Sequence, residues 1–240
     1  MISVCIATHN GEKYIKEQLD SILCQLSHED EVVISDDGST DSTLDIIKDY
    51  NDSRVKIYTM KHTRKGMTSH FYLAKNFENS LKHATGDIIF LADQDDVWYS
   101  NKVATCVSHL NSNQAVLHNL ECVDANLNPL GQKWYNATLK FRPFNFFMLR
   151  GKHMGCALVF KRDLLKTILP FPRSLCIHDF WIGIISELKG GLRYVDEPLI
   201  FYRIHSGNIS GSNQKKNAFV FKIYYRLYTM INFFIRISLK

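Results

Sequence analysis

The 240-residue chain is 45% hydrophobic and 22% charged, ordinary values for a globular protein and enough length for one sizeable α/β domain with a small appendage. Its net charge of +5 is unevenly placed: beyond Glu197 stand seven basic residues and no acidic one, so the preceding residues sum to about −2. This excludes a nucleic-acid binder whose positive charge covers its body, and it predicts a C-terminal segment that meets an anionic surface.

The opening residues, MISVCIATHNG, carry no charged leader and no cleavage site, so no signal peptide is predicted. "ISVCIAT" reads as a buried first strand. Tyr14, Ile15, Gln18, Leu19, Ile22, Leu23 and Leu26 follow at helical spacing, with Asn10 as the expected N-cap. "EVVIS" is the second strand; it runs into the turn "DDGSTD", after which Leu44, Ile46, Ile47 and Tyr50 continue as a helix. "VKIYTM" is the third strand, Asn76 to Ala84 a helix stopped by Gly86 as a C-cap, and "DIIFLA" the fourth strand. Val97 to Leu110 is read as a helix capped by Ser100.

Later elements are shorter. "AVLHNLECVDANLNPLG" predicts a strand and a hairpin turn, and the aromatic stretch near 134 to 147 is irregular. "GCALVF" is a strand, "RDLLKTILPFP" a helix broken at Pro170, and "CIHDFWIGIISELKGG" a helix led by His178 and Asp179. "LRYVDEPLIFYRIHSGNIS" reads as two strands about a turn at Asp196-Glu197-Pro198. No window of about 18 residues is apolar enough to span a bilayer. The six cysteines form no CxxC pair and no zinc spacing, so they are expected as reduced thiols in a cytosolic protein.

The order β-α-β-α-β-α-β implies a mostly parallel α/β sheet covered on both faces, with ligands beyond the strands' carboxyl ends. Three polar clusters fall there: Thr8-His9-Asn10, Asp36-Asp37-Gly38 and Asp93-Gln94-Asp95-Asp96. Three carboxylates within four residues repel one another unless they splay into water or something positive sits among them. A dinucleotide fold would need GxGxxG after the first strand and a P-loop would need GxxxxGK[ST]; both are absent. A divalent cation bridging aspartate and phosphate remains, and Asp93 and Asp95, two apart, share a face.

Taken in order, "VCIATHNGEKYIKEQLDSIL", "DDGSTDST", "ATGDIIFLADQDDVW", "HDFW" and "YRIHSGNIS" resemble the family 2 glycosyltransferases of the GT-A fold, above all the bacterial branch that builds rhamnose-containing and other surface polysaccharides. The resemblance covers about residues 2 to 210. It implies that Thr8, Asn10, Glu12, Asp36 and Asp37 hold the nucleoside of a UDP- or dTDP-sugar, with Lys65 and Asn76 reaching the diphosphate or sugar. It implies Mg²⁺ or Mn²⁺ on Asp95, Asp93 and His205, with Asp93 also able to contact the ribose. Asp179 is the implied general base of an inverting transfer; His178 stands where the family more often has Glu, and its role is open. Helix capping is the plain alternative for Asp179, turn formation for Asp36 and Asp37, and core packing for Trp181, which otherwise stacks on a sugar. Met154-Gly155-Cys156 and the aromatic stretch are expected to set selectivity.

The expected organisation is a glycosyltransferase domain over 1–212, with a nucleotide-binding half to 110 and an acceptor-binding half from 111, then a basic amphipathic tail over 213–240. From Val220 to Ile235 the tail's apolar residues keep helical spacing, with Lys222, Arg226, Thr229 and Arg236 largely opposite. That pattern fits either an interfacial helix at the inner face of the plasma membrane, beside a lipid-linked glycan acceptor, or packing on the domain or a second subunit. The other functions open to this sequence are a nucleotidyltransferase making nucleotide sugars and a noncatalytic nucleotide-sugar-binding module.

Overall fold

A computed structural model describes residues 1–60, 68–133, 153–208 and 218–238. The four apolar runs of the first half are β1 (Ile2–Thr8), β2 (Glu31–Asp36), β3 (Val55–Thr59) and β4 (Ile88–Ala92). They lie side by side as β3-β2-β1-β4, all parallel. Helices α1 (Ile15–Leu23), α2 (Thr43–Asp49) and α3 (Ser69–His83) connect them. The second half adds β5 (Val97–Trp98), α4 (Lys102–Leu110), β6 (Ala115–Val123), β7 (Pro129–Lys133), β8 (Leu158–Lys161), α5 (Leu165–Ile168), α6 (His178–Ile185), β9 (Leu192–Arg203) and α7 (Ala218–Ser238).

These strands extend the same sheet as β4-β8-β6-β9-β5, with β7 beside β6. Here only β6 and β9 pair in parallel; the remaining pairs are antiparallel, so the sheet is parallel in its first half and mixed in its second. Alternate strand residues feed opposite faces. Cys5, Ala7, Ile89 and Leu91 pack under α3 and α6, against Phe77, Leu81 and Trp181. Val4, Ile6, Ile34 and Phe90 pack under α1 and α4, against Leu19, Ile22 and Leu110.

Several boundaries differ from the sequence reading. Val97 and Trp98 form β5 against β9, and the helix begins only at Lys102, with no side-chain cap. Asn10 does not cap α1; it holds a left-handed φ of 49° four residues before Tyr14, the N-cap. α3 begins earlier than expected, at Ser69, with the Thr68 side chain accepting from Phe71 N. The two short strands about Pro198 are one strand, β9, whose register against β6 shifts between His118 and Glu121 and so absorbs the proline. Gly86 is not a helix cap. It lies against β1, where an added Cβ would sit 2.7 Å from Ile2 C and Ser3 N.

Beside Gly86 a buried carboxylate ties the amino ends of the sheet together. Glu31 Oε1 accepts from Ser3 Oγ (2.6 Å), Thr85 N (2.6 Å) and Thr85 Oγ1 (2.8 Å), while Oε2 accepts from Lys56 Nζ (2.6 Å). Burial works to raise this carboxyl, but Lys56, Ser3 and Thr85 outweigh it and hold it at about 2. A carboxyl depressed on folding stabilises the protein above its unfolded value near 4.5, and that contribution is lost as pH falls toward 2. Glu31→Gln is expected to lower stability at pH 7 by about 1–3 kcal/mol and to flatten the decline between pH 4.5 and 2. Urea unfolding across that range, with the wild type alongside, checks it.

Candidate active site

Parallel pairing brings the three polar clusters to one edge of the sheet. Thr8 is level with Asp36, and Ile6 with Ala92, so the β1, β2 and β4 ends adjoin. A cleft of about 300 Å³ opens there, lined by Thr8, His9, Asp37, Asn76, Asp93, Gln94, Asp95, Tyr202, Gly207 and Asn208 among others.

The loops after β1 and β2 interlock. Asn10 Oδ1 accepts from Thr40 N (2.8 Å), and Asn10 N donates to Ser39 Oγ (2.9 Å). Glu12 Oε2 accepts from Ser42 N (2.9 Å), and Glu12 N donates to Asp41 Oδ2 (3.1 Å). Asp36 is buried and shapes its turn: Oδ2 accepts from Gly38 N and Ser39 N, both at 2.9 Å, and Oδ1 from Ser39 Oγ and from Thr8 Oγ1 at 3.1 Å. Asn10, Glu12 and Asp36, expected at the nucleoside, are thus engaged in building the loops and are not among the residues lining the cleft. Thr8, Asp37 and Asn76 do line it. Asn76 donates to the Thr8 carbonyl (3.0 Å) and keeps its buried Oδ1 without a hydrogen-bond partner among the described residues.

Gln94 clamps the third cluster to the first. It accepts from His9 N (2.8 Å) and donates back to the His9 carbonyl (3.2 Å). Gly11 leaves room for this clamp, since a Cβ there would lie 2.6 Å from Gln94 Oε1. Buried Gln18 donates to the Asp93 carbonyl (2.7 Å).

The aspartate turn is held from behind by cations of the chain itself. Arg203, 1% exposed, donates Nε to the Asp95 carbonyl (2.7 Å), Nη1 to the Ala125 carbonyl (2.6 Å) and Nη2 to Glu17, and its backbone N donates to Asp96 Oδ1 (3.1 Å). Its guanidinium lies over the Tyr14 ring at 4.5 Å. Lys102, fully buried, donates Nζ to the Cys156 carbonyl (2.9 Å) above the Trp98 ring (4.0 Å). Burial pulls Lys102 down to about 8, while the acidic groups around it, Asp96 and Asp93 included, work to keep its charge. Burial, then Asp95 and Asp179, push Asp93 up to about 7. Burial, Asp95 and Asp93 push Asp96 well above the usual carboxylate range.

His205 Nε2 lies 2.8 Å from Asp95 Oδ2, and Gly207 N donates to His205 Nδ1 (3.1 Å). The two contacts together assign the proton to Nε2, which donates to Asp95. This contact sets His205 beside Asp95 at the cleft. Asp93, Asp96 and Cys156 offer ligand atoms within 4.8 Å of one another, but Mg²⁺ and Mn²⁺ favour oxygen, and the cleft sees Asp93 and Asp95. The crowded carboxylates on the cleft wall, where burial and the Asp95 charge push Asp93 up, fit a divalent cation.

On α6, Asp179 lies half-buried in the first turn, where the helix dipole favours an anion. Ile177 is the N-cap, without a side-chain cap bond, so Asp179 is not the helix cap. Its charge reaches Asp93 and His70. His178 is buried, stacked on Phe77 at 4.2 Å, and burial lowers it, so it faces the core and not the substrate. Gly155 admits it: a Cβ there would sit 2.9 Å from His178 Nε2. Trp181 is fully buried and donates to the Ile168 carbonyl (2.9 Å); it is a core residue and cannot stack on a sugar. Lys65 and the aromatic stretch lie outside the described residues. Lys102 and Arg203 also hold the site, and neither is among the residues the sequence pattern points to; "YRxH" at the end of the last strand is the available pointer to Arg203.

Residues 3–169 match the family model described as glycosyl transferase family 2. The chain is 29% identical over 223 residues to the dTDP-rhamnosyl transferase RfbG of Shigella flexneri, covering 87% of this chain and 74% of that protein. It is 24% identical to the UDP-Glc:alpha-D-GlcNAc-diphosphoundecaprenol beta-1,3-glucosyltransferase WfgD of Escherichia coli, over 98% of this chain and 92% of that one. S. aureus TarS 1-349, solved in complex with UDP-GlcNAc, superposes with a TM-score of 0.72 at 21% identity; the match covers 96% of this chain and 66% of that fragment. The mixed sheet and its helices are those of the GT-A fold, and the chain belongs to glycosyl transferase family 2.

Proposed function

We propose that this chain moves a sugar from a UDP- or dTDP-sugar to a hydroxyl of a growing, lipid-linked surface polysaccharide, with inversion at the anomeric carbon and with Mg²⁺ or Mn²⁺ bound. The observation that supports the reading is geometric: a Cβ on Gly155 would lie 3.7 Å from Asp179 Cβ, and the next residue, Cys156, has its Sγ within 4.8 Å of an Asp93 oxygen, so the metal-type turn and the helix with the expected base flank the same short segment. Relatives named for dTDP-rhamnose and UDP-glucose transfer support a pyrimidine nucleotide, and WfgD, named for a diphosphoundecaprenol-linked substrate, supports the lipid-linked acceptor.

In this reading Thr8, Asp37 and Asn76, which line the cleft, face the nucleoside. Asp93 and Asp95 hold the cation, with His205 orienting Asp95. When bound, the cation supplies Lewis-acid stabilisation of the departing diphosphate. Asp179 takes the proton from the acceptor hydroxyl as that oxygen forms its bond to the anomeric carbon and the bond to the diphosphate oxygen breaks. Attack from the face opposite the diphosphate inverts the centre, through an oxocarbenium-like transition state.

Asp179→Asn is expected to keep the Kd for UDP or dTDP within about twofold and to cut sugar transfer by about 10²–10⁴-fold; a binding module or a nucleotidyltransferase would not show that split. Release of radiolabelled sugar into lipid-extractable product, alongside calorimetric titration, measures both halves. Asp95→Ala is expected to raise the Kd for UDP or dTDP in Mn²⁺ at least about tenfold while changing the metal-free Kd little. A wild-type Kd that is the same with and without Mn²⁺ would refute the cation.

A further inference from the structure

We propose that α7 docks the protein on an anionic lipid bilayer through an exposed apolar stripe, and that this fixes the catalytic edge relative to the membrane. The inference concerns a surface away from the cleft and does not depend on which sugar is moved. Ile223, Tyr224, Leu227, Ile231, Phe234 and Ile235 are all exposed, four of them by more than half: Tyr224 52%, Leu227 54%, Ile231 58% and Ile235 52%. At 100° per residue these six project within an arc of about 120°. Soluble monomers seldom leave so continuous an apolar band in water.

The opposite side of the helix is already committed. Phe233 and Thr229 are buried, and Tyr225 packs edge-on against Phe180 at 5.7 Å. Tyr228 accepts from Ser174 N (3.0 Å). Arg236 donates to the Thr167 and Leu169 carbonyls (2.8 and 3.0 Å) and to the Pro170 carbonyl (2.6 Å), and lies over the Trp181 ring at 5.5 Å. The sequence reading set Arg236 on a basic face largely opposite the apolar one. It is instead the helix's bolt to the domain, because carbonyls at the end of α5 lack helical partners. Among the described residues, the apolar stripe therefore faces outward uncovered. Among the described residues no helix is long and apolar enough to cross a membrane, so the stripe lies on a bilayer rather than through it.

Charge chooses the occupant. Beyond Glu197 the sequence has no acidic residue, and beside Arg203 and Arg236, which the domain itself engages, it has five basic ones. A second copy set on the same stripe by twofold symmetry would bring two such segments together, like charge against like. A bilayer rich in anionic headgroups complements it. The bolt then matters for chemistry: α7 packs on Phe180 and Trp181, one and two residues beyond Asp179 on α6. A membrane plane that fixes α7 also fixes α6, and with it the side from which a lipid-linked hydroxyl reaches the base.

The test is flotation of the full chain with vesicles of phosphatidylglycerol and phosphatidylethanolamine, and with phosphatidylcholine alone, beside a variant carrying Leu227→Glu and Ile231→Glu. Both positions are exposed, and circular dichroism with thermal melting checks that the variant folds. The wild type is expected to partition onto the anionic vesicles at least tenfold better than onto phosphatidylcholine, and the variant to lose at least tenfold. Transfer to a short soluble acceptor should stay unchanged, so failure of docking is separable from failure of the catalytic reading. Absence of wild-type flotation overturns the proposal. So does a wild-type dimer in analytical ultracentrifugation that the same substitutions dissociate, because a second copy would then own the stripe.

Discussion

The structure turns on the charge gathered where β4 ends. Asp93, Asp95 and Asp96 fall within four consecutive positions, and two unit charges 4 Å apart interact by about 4 kcal/mol at an effective dielectric near 20. The fold answers that repulsion in layers. Arg203 holds the turn through the Asp95 carbonyl and, by its backbone N–H, through Asp96. Lys102 sits fully buried beneath it on the Cys156 carbonyl. His205 steadies Asp95 from the side. Burial first, and then the charges of Asp95 and Asp179, push Asp93 up to about 7.

These groups come from separate parts of the chain, Lys102 on α4 and the pair Arg203 and His205 about β9's end, so the turn also organises the fold. Arg203 closes β9, and its guanidinium joins Glu17 on α1 to the loop at Ala125. Lys102 opens α4 and reaches the short 3₁₀ turn before β8. Gln18 on α1 takes the Asp93 carbonyl, and Gln94 takes both backbone groups of His9. The first half of the sheet supplies the clusters by strand order, and the second half supplies the positive charge that lets them coexist. An arginine with five donors and 1% exposure needs acceptors from several segments at once, which a single strand end cannot offer.

That division explains what the sequence made legible. β1, β2 and β4 are continuous apolar runs, and a parallel order sends their polar ends to one edge, so the convergence of Thr8, Asp37 and Asp93 follows from local pattern alone. Arg203 and Lys102 were legible only as charges. Their burial depends on partners far along the chain, such as Glu17 for Arg203 and Cys156 for Lys102, and no periodicity encodes that. Val97 and Trp98 read as helix because they are apolar beside a helical run; pairing with β9, about a hundred residues on, overrides propensity. Trp181 stands two residues from Asp179 and shares its motif, but an α-helix turns 200° in that interval, so one side chain faces the core while the other does not.

The two buried cations also bear on why a third, mobile one belongs to the proposed reaction. Lys102 and Arg203 lie on the protein side of the turn, and both are engaged by carbonyls. Among the described residues that line the cleft there is no lysine or arginine, whereas Asp37, Asp93 and Asp95 all are there. A nucleoside diphosphate entering that space would bring further negative charge against carboxylates that already repel one another. At the same effective dielectric, each close pair would oppose binding by several kcal/mol, more than contacts to a nucleoside readily offset. A divalent ion arriving with the diphosphate would reverse the sign of those terms, while the cations behind the turn already hold the carboxylates together in the fold. On this view the internal pair sets how much charge the site can tolerate without its ion, and the ion sets how tightly the donor is held.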